Sequence, residues 1–192
     1  MFGGSWIASE RRTVCRKHIQ SDQISLVEAT CFWTPHSTSK WQTYSQIYIQ
    51  IVFAVEGRQN LISQQHREEL HKYITGIVQN RSQKILSIFC MPDHTHILIG
   101  LTPPMAISDL VRDIKAGSSK FINDNRWMQG RFNWQEGFGA FSYSRSQIDT
   151  VVKYILNQES HHAKRTFRNE YIGFLNKFEV DYDERYLFDW NE

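Results

Sequence analysis

An α+β fold with the ferredoxin-like split βαβ arrangement is predicted by three observations. Hydrophobic periods alternate as strand, helix, strand, strand, helix, strand. Met91-Pro92-Asp93 is a turn between the two middle strands, which makes them an antiparallel hairpin. A further amphipathic helix bearing a tyrosine follows the fourth strand. The expected architecture is an antiparallel sheet with helices on one face plus a C-terminal tyrosine-bearing helix.

The elements follow in order. From Tyr44 to Val55, Ile47, Ile49, Ile51 and Phe53 alternate with Tyr48, Gln50 and Val52, a strand that Glu56-Gly57-Arg58 ends. Leu70, Tyr73, Ile74, Ile77 and Val78 give a helix from about Ser63 to Gln79 its apolar face. Lys84 to Cys90 is the second strand. The third begins after Pro92 and stops at Pro103-Pro104. Ile107, Leu110, Val111, Ile114 and Phe121 point inward from a helix over Ser108 to Asn123. The run Gly137 to Tyr143 is a short fourth strand. Ser144 or Ser146 caps the next helix, whose core stripe is Ile148, Val151, Val152 and Ile155. Phe167, Tyr171, Phe174, Leu175 and Phe178 mark a last helix.

Length suits one domain with appendages: an extension over 1–40, a domain over 41–178 and an acidic tail over 179–192. The net charge of +2 hides a division, because 41–178 carries +5 while the tail carries −5. A mildly basic middle permits a nucleic-acid partner without demanding one. No apolar run reaches a membrane-spanning length, and Phe2 to Ser9 is too short for a secretory signal, so a cytoplasmic protein is expected. Cys15, Cys31 and Cys90 lack metal spacing and suit reduced thiols.

The third strand carries the chemistry. Strand alternation puts His94, His96 and Leu98 on one face, and Thr95, Ile97, Ile99 and Leu101 on the other, towards a core. Two neutral imidazoles together can hold one divalent metal. By itself His-x-His is a weak signal, equally read as two exposed polar residues at a sheet end. Tyr154 and Gln158 lie four residues apart, hence on one side of a helix, and His161 and His162 follow. Arg126, Trp127, Arg131, Phe132 and Trp134 interleave rings with bases, a pattern that stacks single-stranded bases or simply packs as a loop.

Together these blocks resemble the single-tyrosine HUH transposases of bacterial insertion sequences and the related REP-associated tyrosine transposases. The resemblance covers Thr43 to Tyr171. It rests on Met91-Pro92-Asp93-His94-Thr95-His96, on Trp134-Gln135-Glu136-Gly137 with Phe141-Ser142, and on Tyr154-Ile155-x-Asn157-Gln158-x-x-His161-His162. Thr95 departs from the family pattern, which usually has a bulky hydrophobic residue there, and its hydroxyl needs a partner in the core.

The resemblance implies that His94 and His96 bind a divalent metal, Mg²⁺ or Mn²⁺, with Gln158 as third ligand. Tyr154 is then the nucleophile that cleaves single-stranded DNA through a 5′-phosphotyrosine. Neutral ligands leave the metal its full charge for polarising a phosphate. His161 and His162 are candidate assisting groups or polar residues closing a helix end. The implied partner is single-stranded DNA with hairpins near the element ends. Lys115, Lys120, Lys153, Lys164, Arg165 and Arg168 are candidate phosphate contacts, beside the aromatic loop. A homodimer is also implied, with the tyrosine helix of one protomer docked on its partner's metal site. Two alternatives remain: a non-catalytic single-stranded nucleic-acid-binding module, and a metal phosphohydrolase that uses water.

Overall fold

A computed structural model describes residues 44–188. The expectations for the extension over 1–40, for Cys15 and Cys31, and for 189–192 lie outside the described residues. No helix among the described residues is long and apolar enough to cross a membrane.

Strands β1 (Ile47–Ala54), β2 (Lys84–Cys90), β3 (His94–Leu101) and β4 (Gly139–Tyr143) form one sheet in the order β2-β3-β1-β4. All three pairings are antiparallel. Helices α1 (Gln64–Asn80) and α2 (Ile107–Asp124) fill the connections after β1 and β3. This is the split βαβ arrangement expected from the sequence. The register opposes Val52 to His96 and Ala54 to His94, so the histidines emerge at the end of the central strand pair.

The two sheet faces bury two different cores. On the first, Ile49, Ile51, Phe53, Ile97 and Ile99 pack under Leu70, Ile74 and Val78 of α1 and Leu110, Val111 and Ile114 of α2. On the second, Val52, Ala54 and Leu98 meet α3 (Ile148–Leu156) and α5 (Phe167–Lys177) through Val151, Ile155, Phe167, Phe174 and Leu175. The central strands are therefore covered on both sides, which is why β1 is buried almost from end to end. Ser144, not Ser146, forms the capping box, with Gln147, on the turn that leads into α3. The acidic tail docks through Phe188, whose ring lies 4.6 Å from that of Tyr171.

Two local expectations are corrected. The chain from Ile148 to His162 is not one continuous helix: Asn157, at φ −98° and ψ 22°, breaks it, and α4 (Gln158–His162) starts anew. The aromatic loop is largely interior. Phe132 is fully buried, and Trp134, 8% exposed, packs edge-on to Phe53 at 4.7 Å. The Trp134 indole donates to Ser118 Oγ at 2.8 Å. Gln135 N donates to Ala54 O at 2.9 Å, and Trp134 makes an isolated antiparallel bridge to Val55 just past β1. Trp134 thus has no free face for a base. Lys115 is committed likewise, its Nζ donating to the Gln135 carbonyl at 2.8 Å and to that of Gly137. Burial pushes its pKa down to about 8.

Thr95 is fully buried on the first face, and its hydroxyl lacks a hydrogen-bond partner of normal geometry. The Cys90 thiol, a weak donor, stands beside it across the β2–β3 pair. An unpaired buried hydroxyl costs about 1–3 kcal/mol. Thr95→Val keeps the branched shape and removes that group. It is expected to raise the unfolding free energy by about 1 kcal/mol in a denaturant titration. A loss of stability would show that the thiol contact satisfies the hydroxyl.

Candidate active site

The second core is apolar except at one end, where β3, α4 and α5 meet. β3 delivers His94 and His96, which are 1% and 0% exposed rather than surface residues at a sheet end. α4 opens with Gln158, 0% exposed, and closes with His162. α5 brings Glu170, 3% exposed. Phe167 stacks on the His94 ring at 4.0 Å, and Phe174 lies 6.3 Å from the His96 ring, so aromatic walls seal the cluster.

Within it, His96 Nε2 is 3.5 Å from Glu170 Oε2, and His162 Nε2 is 3.1 Å from the same oxygen. Gln158 Nε2 donates to Glu170 Oε1 at 3.2 Å. One ligand atom from each of His94, His96, His162 and Glu170 lies within 4.8 Å of the others. His94 Nε2, His96 Nε2, His162 Nε2, Gln158 Oε1 and Glu170 Oε2 are all buried without a hydrogen-bond partner. Buried polar atoms are rarely left so. A cation at their centre would satisfy them together, and the donor set fits a divalent metal. Burial holds the His94 pKa down to about 3, and burial likewise lowers those of His161 and His162. These rings are therefore neutral near pH 7, the state in which imidazole binds metal.

An imidazole that is to bind a metal needs its other nitrogen held. His94 Nδ1 donates to Asp93 Oδ1 at 2.7 Å. His96 Nδ1 is 3.1 Å from Gln50 Nε2, and Tyr143 Oη donates to Gln50 Oε1 at 2.9 Å. In that orientation the amide makes Nδ1 an acceptor and puts the His96 proton on Nε2. Turning the Gln50 amide by half a turn preserves both contacts, lets Nδ1–H donate to the carbonyl and frees Nε2. A cation held at His96 Nε2 would require the turned orientation.

Tyr154 borders the cluster. Its ring stands edge-on to His96 at 6.1 Å and to His161 at 5.2 Å, and its hydroxyl is buried without a partner. The two histidines, Gln158 and Tyr154 thus come together within one chain. The arrangement implied by the resemblance, with the tyrosine helix on a partner's metal site, concerns a second chain and belongs to the proposal below. Tyr143, the other tyrosine nearby, is tied to Gln50, and burial raises its pKa to about 12.

Glu170 was absent from the expected site. It had a signal: it sits three residues after Phe167 and four before Phe174, a charge inside the apolar stripe of α5. The basic residues divide. Lys153, Lys164 and Arg165 line an open cleft with Tyr154, Asn157, Ser160 and His161. Arg165 also donates to the Asn169 carbonyl, and Arg168 lies 4.0 Å from Glu184. Lys120 pairs with Asp124 and, with Arg131, borders a groove beside α2, away from the tyrosine. Arg126 is exposed at the end of α2. Trp127 lies flat on His66 at 4.4 Å, which covers one ring face.

The model of the family described as "Transposase IS200 like" matches residues 43–158. ISDra2 transposase TnpA of Deinococcus radiodurans is 24% identical over 126 residues, which span 62% of this chain and 86% of that protein. A crystal structure described as a candidate transposase from Deinococcus radiodurans R1 aligns with a TM-score of 0.49 at 21% identity, covering 62% of this chain and 97% of its own. The structure of a REP-associated tyrosine transposase bound to a REP hairpin aligns at 0.48 with 19% identity, covering 80% and 92%.

Gln50→Leu keeps a side chain of similar volume but leaves His96 Nδ1 without a partner. Affinity for Mn²⁺, measured by titration calorimetry, is expected to fall about tenfold, as for loss of other groups that orient a metal-binding imidazole. Unchanged affinity would mean that His96 is held by packing alone.

Proposed function

The chain belongs to the IS200-like transposase family, and we propose that it cleaves and rejoins single-stranded DNA through a 5′-phosphotyrosine on Tyr154. The metal site of this reading is held by His94, His96 and Gln158. One observation carries it: the free ligand atoms of those three residues and the Tyr154 hydroxyl are all buried, unpartnered and gathered at one end of the second core. A stable fold has no use for such a set, whereas a site that awaits a cation and a phosphate does.

A divalent cation bound there would polarise the non-bridging oxygens of the scissile phosphate. The residues of the chain do the rest. Tyr154 Oη attacks phosphorus as its O–H bond breaks. The bond from phosphorus to the 3′-oxygen breaks in turn, and that oxygen leaves as a 3′-hydroxyl after taking up a proton. One phosphodiester replaces another, so attack by a 3′-hydroxyl on the phosphotyrosine rejoins DNA without a nucleotide cofactor. A tyrosine has a pKa near 10 in water and must lose its proton to attack. In this reading His161, whose ring stands edge-on to Tyr154 and whose pKa burial lowers, is the candidate acceptor.

Substrate access follows from the cleft beside Tyr154. Lys153, Lys164 and Arg165 surround it with positive charge suited to a single strand's phosphates. The Tyr154 hydroxyl is closed from solvent, so the ring must turn towards the cleft it borders for the strand to reach it. Hairpin-bearing single-stranded DNA in the cytoplasm is the substrate setting that the family resemblance implies. The homodimer belongs to the same reading, since one transposition event needs two cleavages. Each protomer of that dimer would carry its own complete site, because Tyr154 and His96 face each other within a chain.

Two experiments test this. Tyr154→Phe removes only the nucleophilic oxygen, so the covalent adduct seen on denaturing gels with hairpin-bearing single strands should vanish while DNA binding persists. Binding without adduct by the unaltered protein would favour a non-catalytic module, and cut DNA without adduct a phosphohydrolase. Mixing His96→Ala with Tyr154→Phe under subunit exchange should restore no cleavage, because sites built within one chain each retain a defect. Recovered cleavage would show that the tyrosine helix crosses to the partner.

A further inference from the structure

The region matched by the family model ends at Gln158, yet two of the best-placed ligand groups lie beyond it, His162 on α4 and Glu170 on α5. We infer that Glu170 and His162 are metal ligands in this chain, and that they turn the site from an oxygen-tolerant one into a nitrogen-rich one selective for transition-metal ions over Mg²⁺. The inference rests on the metal-site reading given above and deepens it.

Glu170 does two things at once. Its Oε1 accepts from the Gln158 amide, which turns Gln158 Oε1 towards the cluster. Its Oε2 faces His96 and His162 at 3.5 and 3.1 Å, without a hydrogen bond. A carboxylate 3% exposed with one oxygen unsatisfied is costly to hold in an apolar layer. Phe167 and Phe174, which flank it on α5, pack against the His94 and His96 rings and fix that face of the helix towards β3. The carboxylate therefore cannot swing to solvent without undocking α5. A cation bound between Oε2 and the three imidazoles would satisfy the four open ligand atoms together. Three nitrogens with one carboxylate and one amide oxygen suit Mn²⁺ and later first-row metals. Mg²⁺ prefers oxygen ligands and near-octahedral geometry, and it gives up water reluctantly.

The competing account is a structural imidazole–carboxylate pair between His162 and Glu170, with the metal held by the other residues alone. Titration calorimetry on DNA-free protein separates the two. Unaltered protein should bind one Mn²⁺, about tenfold or more tighter than Mg²⁺. Glu170→Gln preserves the volume and the contact with Gln158, and it should weaken Mn²⁺ binding by about tenfold or more while narrowing the preference over Mg²⁺. His162→Ala should do the same. The melting temperature of metal-free Glu170→Gln, followed by circular dichroism, should equal or exceed that of unaltered protein, because an unsatisfied buried charge has been removed. A variant that binds Mn²⁺ as the unaltered protein does would overturn the inference in favour of the structural pair. If unaltered protein binds no divalent ion, the metal site falls altogether. Loss of DNA adduct chemistry with Glu170-dependent Mn²⁺ binding intact would instead refute only the phosphotyrosine reading.

Discussion

The structure turns on the burial of a polar cluster inside an apolar layer. Gln158, His94, His96 and Glu170 occupy the end of a core otherwise made of Val52, Leu98, Val151, Ile155, Phe167, Phe174 and Leu175. Among themselves these polar groups satisfy only part of their hydrogen-bonding capacity. The apolar packing around them must supply enough free energy to hold the unsatisfied atoms in place. The other face of the sheet carries no comparable cluster, and its aliphatic residues, with Phe53, Phe132 and Trp134, form the scaffold. One sheet therefore divides the work, one face giving stability and the other spending it on a site.

That division explains the shape of the C-terminal half. A single straight helix from Ile148 onwards would place Tyr154 and Gln158 one turn apart on the same side. The break at Asn157 re-aims Gln158 into the cluster while Tyr154 stays at its border. Asn157 stabilises the break by donating its amide to Lys153 O at 2.9 Å. Arg67 of α1 reaches Glu159 of α4 at 2.5 Å, passing over the Phe89 ring on the edge strand β2. The short helix is thus pinned from the far side of the sheet, while α3, which bears the tyrosine, is held in the second core by Ile148, Val151 and Ile155.

Much of this was legible in the sequence, for particular reasons. Alternation along His94 to Leu101 put both histidines on one face, because a strand has only two faces. Helical periodicity placed α1 and α2, whose apolar stripes are long. Glu170 was missed because it shares a stripe with Phe167 and Phe174, where a charge looks like an exception to a core helix rather than part of a site. The depth of the histidines was not legible either, since burial depends on α5, which lies far along the chain. Lys115 and Trp134 misled because a basic and aromatic composition says nothing of whether a backbone carbonyl or Ser118 has already claimed each side chain.

The position of α5 has a consequence for how the site is completed. Glu170 enters only when Phe167 and Phe174 dock on the β3 histidines, so the carboxylate and the aromatic seal arrive together. Phe188 from the tail packs on Phe167 at 5.7 Å and on Tyr171 at 4.6 Å, in the same buried cluster by which α5 docks. The hydrophobic contacts of the tail thus act at a distance on the polar cluster: they set how tightly α5 holds Glu170 against His96 and His162. Coupling of this kind needs no special wire, only a helix whose buried aromatic stripe meets both the tail and the histidines. It also gives the acidic tail a physical role that its composition, read as charge alone, would have hidden.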